Sequence, residues 1–464
     1  MRLSALLGPD IKALLREDPE QIAELLEEIH PEDLADIVST LEPEEAALIL
    51  ARMPAEDAAP IFERLEEHEQ EEIVEQMPPE SVALIASEME ADDRADLISA
   101  LPEEVGTELL ANLQKVDPEA AEEVREIAVW PEASAGRLMT TEFVSVAPTA
   151  TVADALVAVK RFATERPGFA YGVYALEQER LVGVASLRDL LTAEPTERMT
   201  DVMRSNVISV PPTLHQEEVA RVLAKYDLNA IPVINDKSEL LGIITVDDVI
   251  DVLVAEQTED VQRLGGVEPL DESYFQTTFV SFIRKRAGWL VVLFVGEFFT
   301  QTALRHYDEV LSAIHQAAYY VPLLISAGGN SGSQSSSLII RGLAVGDVKP
   351  GDWWRVLYRE LGMGLVLGLI VGLLGFLRVI ILRDQSPLFA VTIGLTLVGI
   401  IIVGCTVGSM LPILLKRVGL DPATSSTPFI ASLVDVLGIV VFVKVAQYVM
   451  AEVIASGLAA TAVP

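Results

Sequence analysis

The stretch PFIASLVDVLGIVVFVKVAQYVM, Pro428 to Met450, is apolar and long enough to cross a bilayer, yet it carries the carboxylate of Asp435. Such a charge at the centre of a membrane costs about 3 kcal/mol even on the lenient insertion scale, so it reads as functional, with a polar core contact as the plainer alternative. A second polar set lies in VPLLISAGGNSGSQSSSLIIRGL, Val321 to Leu343, where Asn330 and Gln334 stand one helical turn apart on one face and suit a wet path. Serine on a membrane helix is often packing glue, and the glycines of this stretch allow close helix contact. A third set lies in TVDDVIDVLVAEQTEDVQRLGG. There Asp247, Asp248, Asp251, Glu256, Glu259 and Asp260 fall within about four helical turns, with no Lys or Arg between the first and the last of them. Like charges so placed repel, and a divalent cation would turn the repulsion into a bridge; a solvated acidic helix is the plainer reading.

These residues need a carrier that meets two solvents. The chain of 464 residues combines a mean hydropathy of +0.37 with a formal charge of −37, which no single soluble domain would normally show. Residues 1–130 hold 36 Asp and Glu against 8 Lys and Arg, so a formal −28 lies in the first third. That balance disfavours nucleic acid or anionic lipid as a partner for this face and favours cations. The single cysteine, Cys405, sits in an apolar run, so neither a disulfide framework nor a thiolate metal site is expected. The charged N-terminus does not read as a signal peptide, so the soluble part is expected in the cytoplasm.

The first third repeats itself. PEDLADIVSTL, PEEAALILARM, PAEDAAPIFERL, PESVALIASEM, ADDRADLISAL and PEEVGTELLANL recur about every 11 to 12 positions, most of them opening on Pro followed by acids. Pro in a first helical turn sacrifices no hydrogen bond, and acids beside it suit the positive end of the helix dipole. Residues 1–130 are therefore expected to form an α-superhelix, a scaffold without a catalytic cluster.

The middle third is a tandem repeat, 138–200 and 201–257. LMTTEFVSVAPTATVADALVAV aligns with VMRSNVISVPPTLHQEEVARVL, and LVGVASLRDLL with LLGIITVDDVI. Each half reads as a strand, an amphipathic helix, two strands ending at Gly183 or Gly242, and a helix start at Ser186 to Asp189 or Thr245 to Asp248. This resembles a pair of CBS domains, which are α/β modules. The resemblance implies a site for ATP or another adenine nucleotide, with Asp189 on the ribose, Arg188 near the phosphates and Tyr171 beside the base.

The last third, 284–464, carries apolar runs at 287–304, 310–327 with an extension to 343, 361–382, 387–415 and 428–450, expected to be five transmembrane helices. Arg284, Lys285 and Arg286, then Arg341, Lys349, Arg355 and Arg359, then Lys416 and Arg417 mark one side. The N-terminus is thus expected inside and the C-terminus outside. Pro322 and Pro412 are candidate kinks, and Glu297 in the first run is unexplained.

The order of acidic helical domain, CBS pair, acidic connecting helix (258–283) and five membrane helices resembles the MgtE family of magnesium channels. GGNSGSQSSSLIIRGL and DPATSSTPFIASLVDVLG are similar to that family's second and fifth membrane helices. The resemblance makes Asp435 the pore carboxylate for hydrated Mg²⁺, with Asn330, Gln334, Thr427 and Asp421 along the pore. It makes Asp92, Asp93, Asp96, Glu217, Asp227, Asp248, Asp251, Glu256, Glu259 and Asp260 regulatory Mg²⁺ ligands. His215 stands where an Asp is expected, and Ser333 and Thr427 where relatives can carry Asn.

The expected activity is Mg²⁺-selective channel transport into the bacterial cell across the inner membrane, gated by cytosolic Mg²⁺. A homodimer would bring two Asp435 side chains to one axis in the lipid bilayer. The alternative is an exchanger of Mg²⁺ for Na⁺ or H⁺. An enzyme is not expected: of the 5 histidines only His68 is followed by Glu, and Glu72 stands where the second His would be needed, so H-E-x-x-H is absent.

Overall fold

The computed structural model describes residues 29–165, 171–270, 274–275, 277–314, 316–382 and 386–455. The first 28 residues of the expected superhelix and the apolar tail after residue 455 lie outside them. The chain divides into two compact units, Met1–Val254 and Ala255–Pro464.

Among the described residues the first unit opens on eight helices: Pro31–Val38, Pro43–Leu50, Ala55–Phe62, Glu67–Gln76, Pro79–Glu88, Ala91–Ala100, Glu103–Val116 and Pro118–Ile127 (α1 to α8). Pro begins α1, α2, α5 and α8, and every one of the eight has an acid in its first turn. The dipole logic read from the sequence therefore holds along the whole array. Helices of about two to three turns cannot bury an apolar face alone. Each packs against the next but one, α1 on α3 through α6 on α8, around one continuous core that includes Leu50, Phe62, Leu113 and Ile127. Among the described residues the largest fully buried side chain is a cation. Arg94 is 1% exposed, pairs with Glu123 at 2.9 Å and donates from Nε to the Ala86 carbonyl at 2.6 Å, which caps the end of α5.

The repeat follows. Its first half comprises β1 (Val144–Val146), α9 (Val152–Glu165), β2 (Gly172–Glu177), β3 (Arg180–Ser186), α10 (Leu187–Thr192) and α11 (Met199–Val202). The second comprises α12 (Gln216–Tyr226), β4 (Ala230–Ile234), β5 (Leu240–Thr245) and the start of α13 (Val246–Leu264). β1 pairs parallel with β2, in register Val144 to Val173, and β2 pairs antiparallel with β3, while β4 and β5 form an antiparallel pair. The expected first strand of the second half is reduced to a bridge from Val210 to Val233. β3 and β5 also continue past Gly183 and Gly242, contrary to the expectation that they end there.

The reason lies in an exchange between the halves. Thr140, leading into the first half, bridges Ile243 of β5, and Arg204, leading into the second, bridges Val184 of β3. A Cβ on Gly183 would stand 2.4 Å from Met203 Sδ, and one on Gly242 would stand 2.6 Å from the Thr140 carbonyl oxygen. The glycines admit the crossing segment rather than ending the strand.

The connecting helix is α13, starting at Val246 inside the repeat and ending at Leu264, so it is shifted from the expected 258–283. In the second unit, α14 (Phe279–His306), α15 (Asp308–Ala313), α16 (Ala317–Ala344), α17 (Trp353–Leu382), α18 (Pro387–Arg417) and α19 (Thr427–Val449) follow. α14, α17, α18 and α19 are long and apolar enough to cross a membrane. α16, with 28 residues, is long enough, but its serines, Asn330 and Gln334 dilute its apolar character. Residues 310–313, counted in the second span from sequence, belong instead to the separate α15.

α18 is the centre of this unit, packed against α16, α17 and α19. Contact is closest where small residues face each other: a Cβ on Gly404 would meet the Gly328 carbonyl oxygen at 2.5 Å, and one on Gly408 the Gly332 oxygen at 2.1 Å. Without a hydrophobic drive between helices in lipid, such backbone approach supplies the packing energy.

Candidate functional site

Two groupings of acids take shape, one in each unit. In the first unit the N-terminal ends of α6 and α13 face a common recess. Asp92 is buried at 6% exposure, and its Oδ1 finds no hydrogen-bond partner. Burial pushes its carboxyl well above the ordinary carboxylate range, and the charges of Asp93, Asp248 and Glu90 add to the effect. Asp93 is raised likewise, by the crowding of protein around it and then by Glu63, Glu90 and Asp248. Glu90, just before α6, is pushed up to about 7, again by desolvation first and then by Asp248, Glu63, Glu142 and Asp247. Asp93 and Glu90 keep exposed surface, so desolvation weighs most at Asp92. Asp248 is raised by burial, against the lowering effect of Thr245, whose hydroxyl it accepts. Asp251 is raised by desolvation and then by Glu32.

This recess is an electrostatic deficit. Several carboxylates sit together, one of them with a buried orphan oxygen, so the residues present fit a cation. Among the described residues no three His, Cys, Asp or Glu side chains converge as a direct ligand set. A cation that keeps its waters, as Mg²⁺ tends to, is the kind that spacing suits.

Not every expected ligand joins it. Asp96 is held by Arg137 at 2.6 Å, and Glu217 by Arg221 one turn on. Asp227 adopts φ 51° and caps the end of α12. His215 caps the start of α12, its Nδ1 accepting from the Glu217 N–H at 3.3 Å. Glu63 and Glu90, which the sequence reading passed over, are drawn in: the Glu90 N–H donates to Glu63 Oε1 at 2.8 Å.

In the nucleotide candidate, Asp189 closes a capping box with Ser186, whose hydroxyl donates to Oδ2 at 2.6 Å. That hydrogen bond holds its carboxyl below the ordinary range. The Tyr171 hydroxyl meets Asp247 at 3.3 Å, in the second half of the repeat, and Arg188 lies next to Asp189 at the start of α10.

The second unit holds the other grouping. Asp435 is half-buried on α19, and α16 comes so near that a Cβ on Gly329 would stand 3.8 Å from Asp435 Oδ1. Asn330 and Gln334 occupy an exposed face of α16. The two membrane-helix positions among the three that depart from the family pattern touch each other, the Ser333 hydroxyl donating to the Thr427 carbonyl at 3.4 Å. The acidic helix is not without a basic partner after all. Arg263, one turn beyond Glu259, pairs with both Glu259 and Asp421. The end of α13 is thereby tied to the turn that leads into α19. Asp421 Oδ1 also accepts from the Ala423 N–H at 2.8 Å, which fixes that turn. Glu297 of α14, unexplained from sequence, accepts from Ser432 of α19 at 2.9 Å, and Glu360 of α17 accepts from Ser335 of α16 at 2.7 Å.

Acids and amides on apolar helices, in one chain with a CBS pair and an acidic helical array, define a divalent cation transporter. Residues 321–445 match the family described as a divalent cation transporter, 29–133 the MgtE intracellular N domain, and 135–195 and 199–255 the CBS domain. The magnesium transporter MgtE of Thermus thermophilus is 41% identical over 338 residues, 73% of this chain and 75% of that one. The crystal structure of the soluble part of a magnesium transporter covers 55% of this chain and 99% of its own at 30% identity, with a TM-score of 0.51. A cytosolic domain of the Mg²⁺ channel MgtE, solved in complex with ATP, is 37% identical over 52% of this chain and 97% of its own, with a TM-score of 0.49. The chain belongs to the MgtE family of magnesium transporters.

Proposed function

We propose that this transporter is a Mg²⁺ channel, a homodimer in the bacterial inner membrane with its N-terminus in the cytoplasm, and that cytosolic Mg²⁺ closes it. The observation that carries the proposal is Asp435, a half-buried carboxylate on the apolar helix α19, close to Gly329 of α16. Mg²⁺ sheds water reluctantly, so a fast path grips the hydrated ion with carboxylates and polar groups rather than stripping it. Two-fold symmetry would double Asp435, and the passing cation would offset the repulsion.

Gating follows from the acidic recess. With Mg²⁺ bound, Asp92, Asp93, Glu90 and Asp248 are bridged and the sensor is compact; without it, uncompensated charge favours a looser state. A ligand shifts such a balance only by binding one state better, and a buried carboxylate with an orphan oxygen supplies that difference. The ion pairs of Arg263 support transmission, since they join α13 to the turn before α19. The Asp189 cap, with one carboxylate oxygen engaged by Ser186, supports an adenine nucleotide as a further ligand.

Growth rescue of a magnesium-transport-deficient strain tests the central point. Wild type should restore growth and Asp435→Ala should not, while equal rescue would remove Asp435 from the path. Flux into proteoliposomes that is indifferent to collapsed proton and sodium gradients supports a channel; dependence on either assigns exchange.

A further inference from the structure

Glu297 is a second carboxylate within the apolar windows of the membrane bundle. On α14 the nearest charged residues are Arg286, eleven positions before it, and Arg305, eight after, roughly 16 and 12 Å along the axis. Neither shares its level, so an acid kept there needs a local reason. Its position is defined by the seam between α14 and α19. Lower in the seam, Trp289 Nε1 donates to Ser426 Oγ at 2.9 Å and the Trp289 ring lies 6.1 Å from that of Phe429. About two turns on, Gly296 lets the helices approach, a Cβ there standing 4.0 Å from Ser432 Cβ. At that level Ser432 donates to Glu297 Oε1 at 2.9 Å. Ser432 precedes Asp435 by one turn on the same helix, and Glu297 is within electrostatic reach of Asp435.

We propose that Glu297 is a specificity-determining residue of the transport path: its charge, held toward α19 by Ser432, adds to that of Asp435 and strengthens the path's hold on a divalent cation. The proposal rests on the reading of Asp435 as the pore carboxylate. The hydrogen bond from Ser432 does not need the charge, because an amide oxygen can accept it equally well. Glu297→Gln therefore separates charge from packing.

The test is Mg²⁺ influx into proteoliposomes holding the full-length protein, measured against external Mg²⁺ for wild type, Glu297→Gln, Glu297→Asp and Asp435→Ala. Glu297→Gln should raise the half-saturating Mg²⁺ roughly tenfold, the effect of one charge on a divalent ion ~10 Å away through an effective dielectric of about 40. Its maximal rate should change by no more than about twofold, since the loss is in binding. Glu297→Asp, which keeps the charge, should stay near wild type. An unchanged Glu297→Gln variant beside an inactive Asp435→Ala overturns the role of Glu297 alone. Equal impairment of the Gln and Asp variants assigns a packing role and also overturns it. Full influx in Asp435→Ala overturns the underlying pore reading instead.

Discussion

Glu90→Gln probes the acidic recess with a change of charge at nearly constant shape. In the folded protein Glu90 titrates at about 7, against an ordinary 4.5, so the folded state holds its proton more tightly than the unfolded chain does. Below pH 4.5 the group is neutral in both states and makes no difference. As pH rises from there to about 7, stability is lost, and above 7 the full penalty stands. A shift of that size corresponds to a ceiling of about 3 kcal/mol. Glu90 keeps exposed surface, and solvent screening reduces the figure to about 1 kcal/mol. For a unit of this size, 1 kcal/mol is worth roughly 2–4 °C in Tm. In chelator at alkaline pH the variant should therefore melt about 3 °C above wild type, with the difference fading on acidification. Millimolar Mg²⁺ should raise the wild-type Tm more than that of the variant, because it stabilises the folded state by occupying the recess. Differential scanning fluorimetry of the purified full-length protein across pH, with chelator and with Mg²⁺, reads all of this. A difference in Tm that ignores both pH and Mg²⁺ would refute the recess as a cation-sensing element.

Three further outcomes are expected. Arg263→Gln leaves Glu259 and Asp421 facing each other without their shared cation, so closure should need more Mg²⁺: the cytosolic concentration that halves open probability in patches should rise about threefold, and an unchanged value would dismiss the latch. Gly408→Val drives a side chain into the Gly332 backbone, where a Cβ already stands 2.1 Å from the carbonyl oxygen; it should cost about 3 kcal/mol and abolish uptake, with wild-type Tm and flux as the contrary result. Arg94→Met removes a buried cation from Glu123 and three carbonyls, and should lower Tm by roughly 6–12 °C, about 3 kcal/mol, whereas a neutral effect would show the ion pair to be dispensable.

The sequence by itself determined the local elements. Pro and acids at helix starts, the tandem Gly and Ser/Thr-x-x-Asp positions, and apolar runs of membrane length report on backbone conformation and solvent, which neighbouring residues set. They located the superhelix, the α/β repeat and the acids of α13 and α19. Only the tertiary structure decided which charges meet. A helical period says which residues share a face, but not what that face is packed against, and an ion pair is settled by the partner. Asp96 and Glu217 looked like free ligands and are taken by Arg137 and Arg221, whereas Glu63 and Glu90, indistinguishable in sequence from dozens of other acids, are carried into the recess by the stacking of α-helices. Arg263 lies 158 positions from Asp421, and Glu297 lies 135 from Ser432. Such separations carry no local signal, so Asp435 and Glu297 were both legible as costly charges in apolar runs, but what Glu297 meets was not.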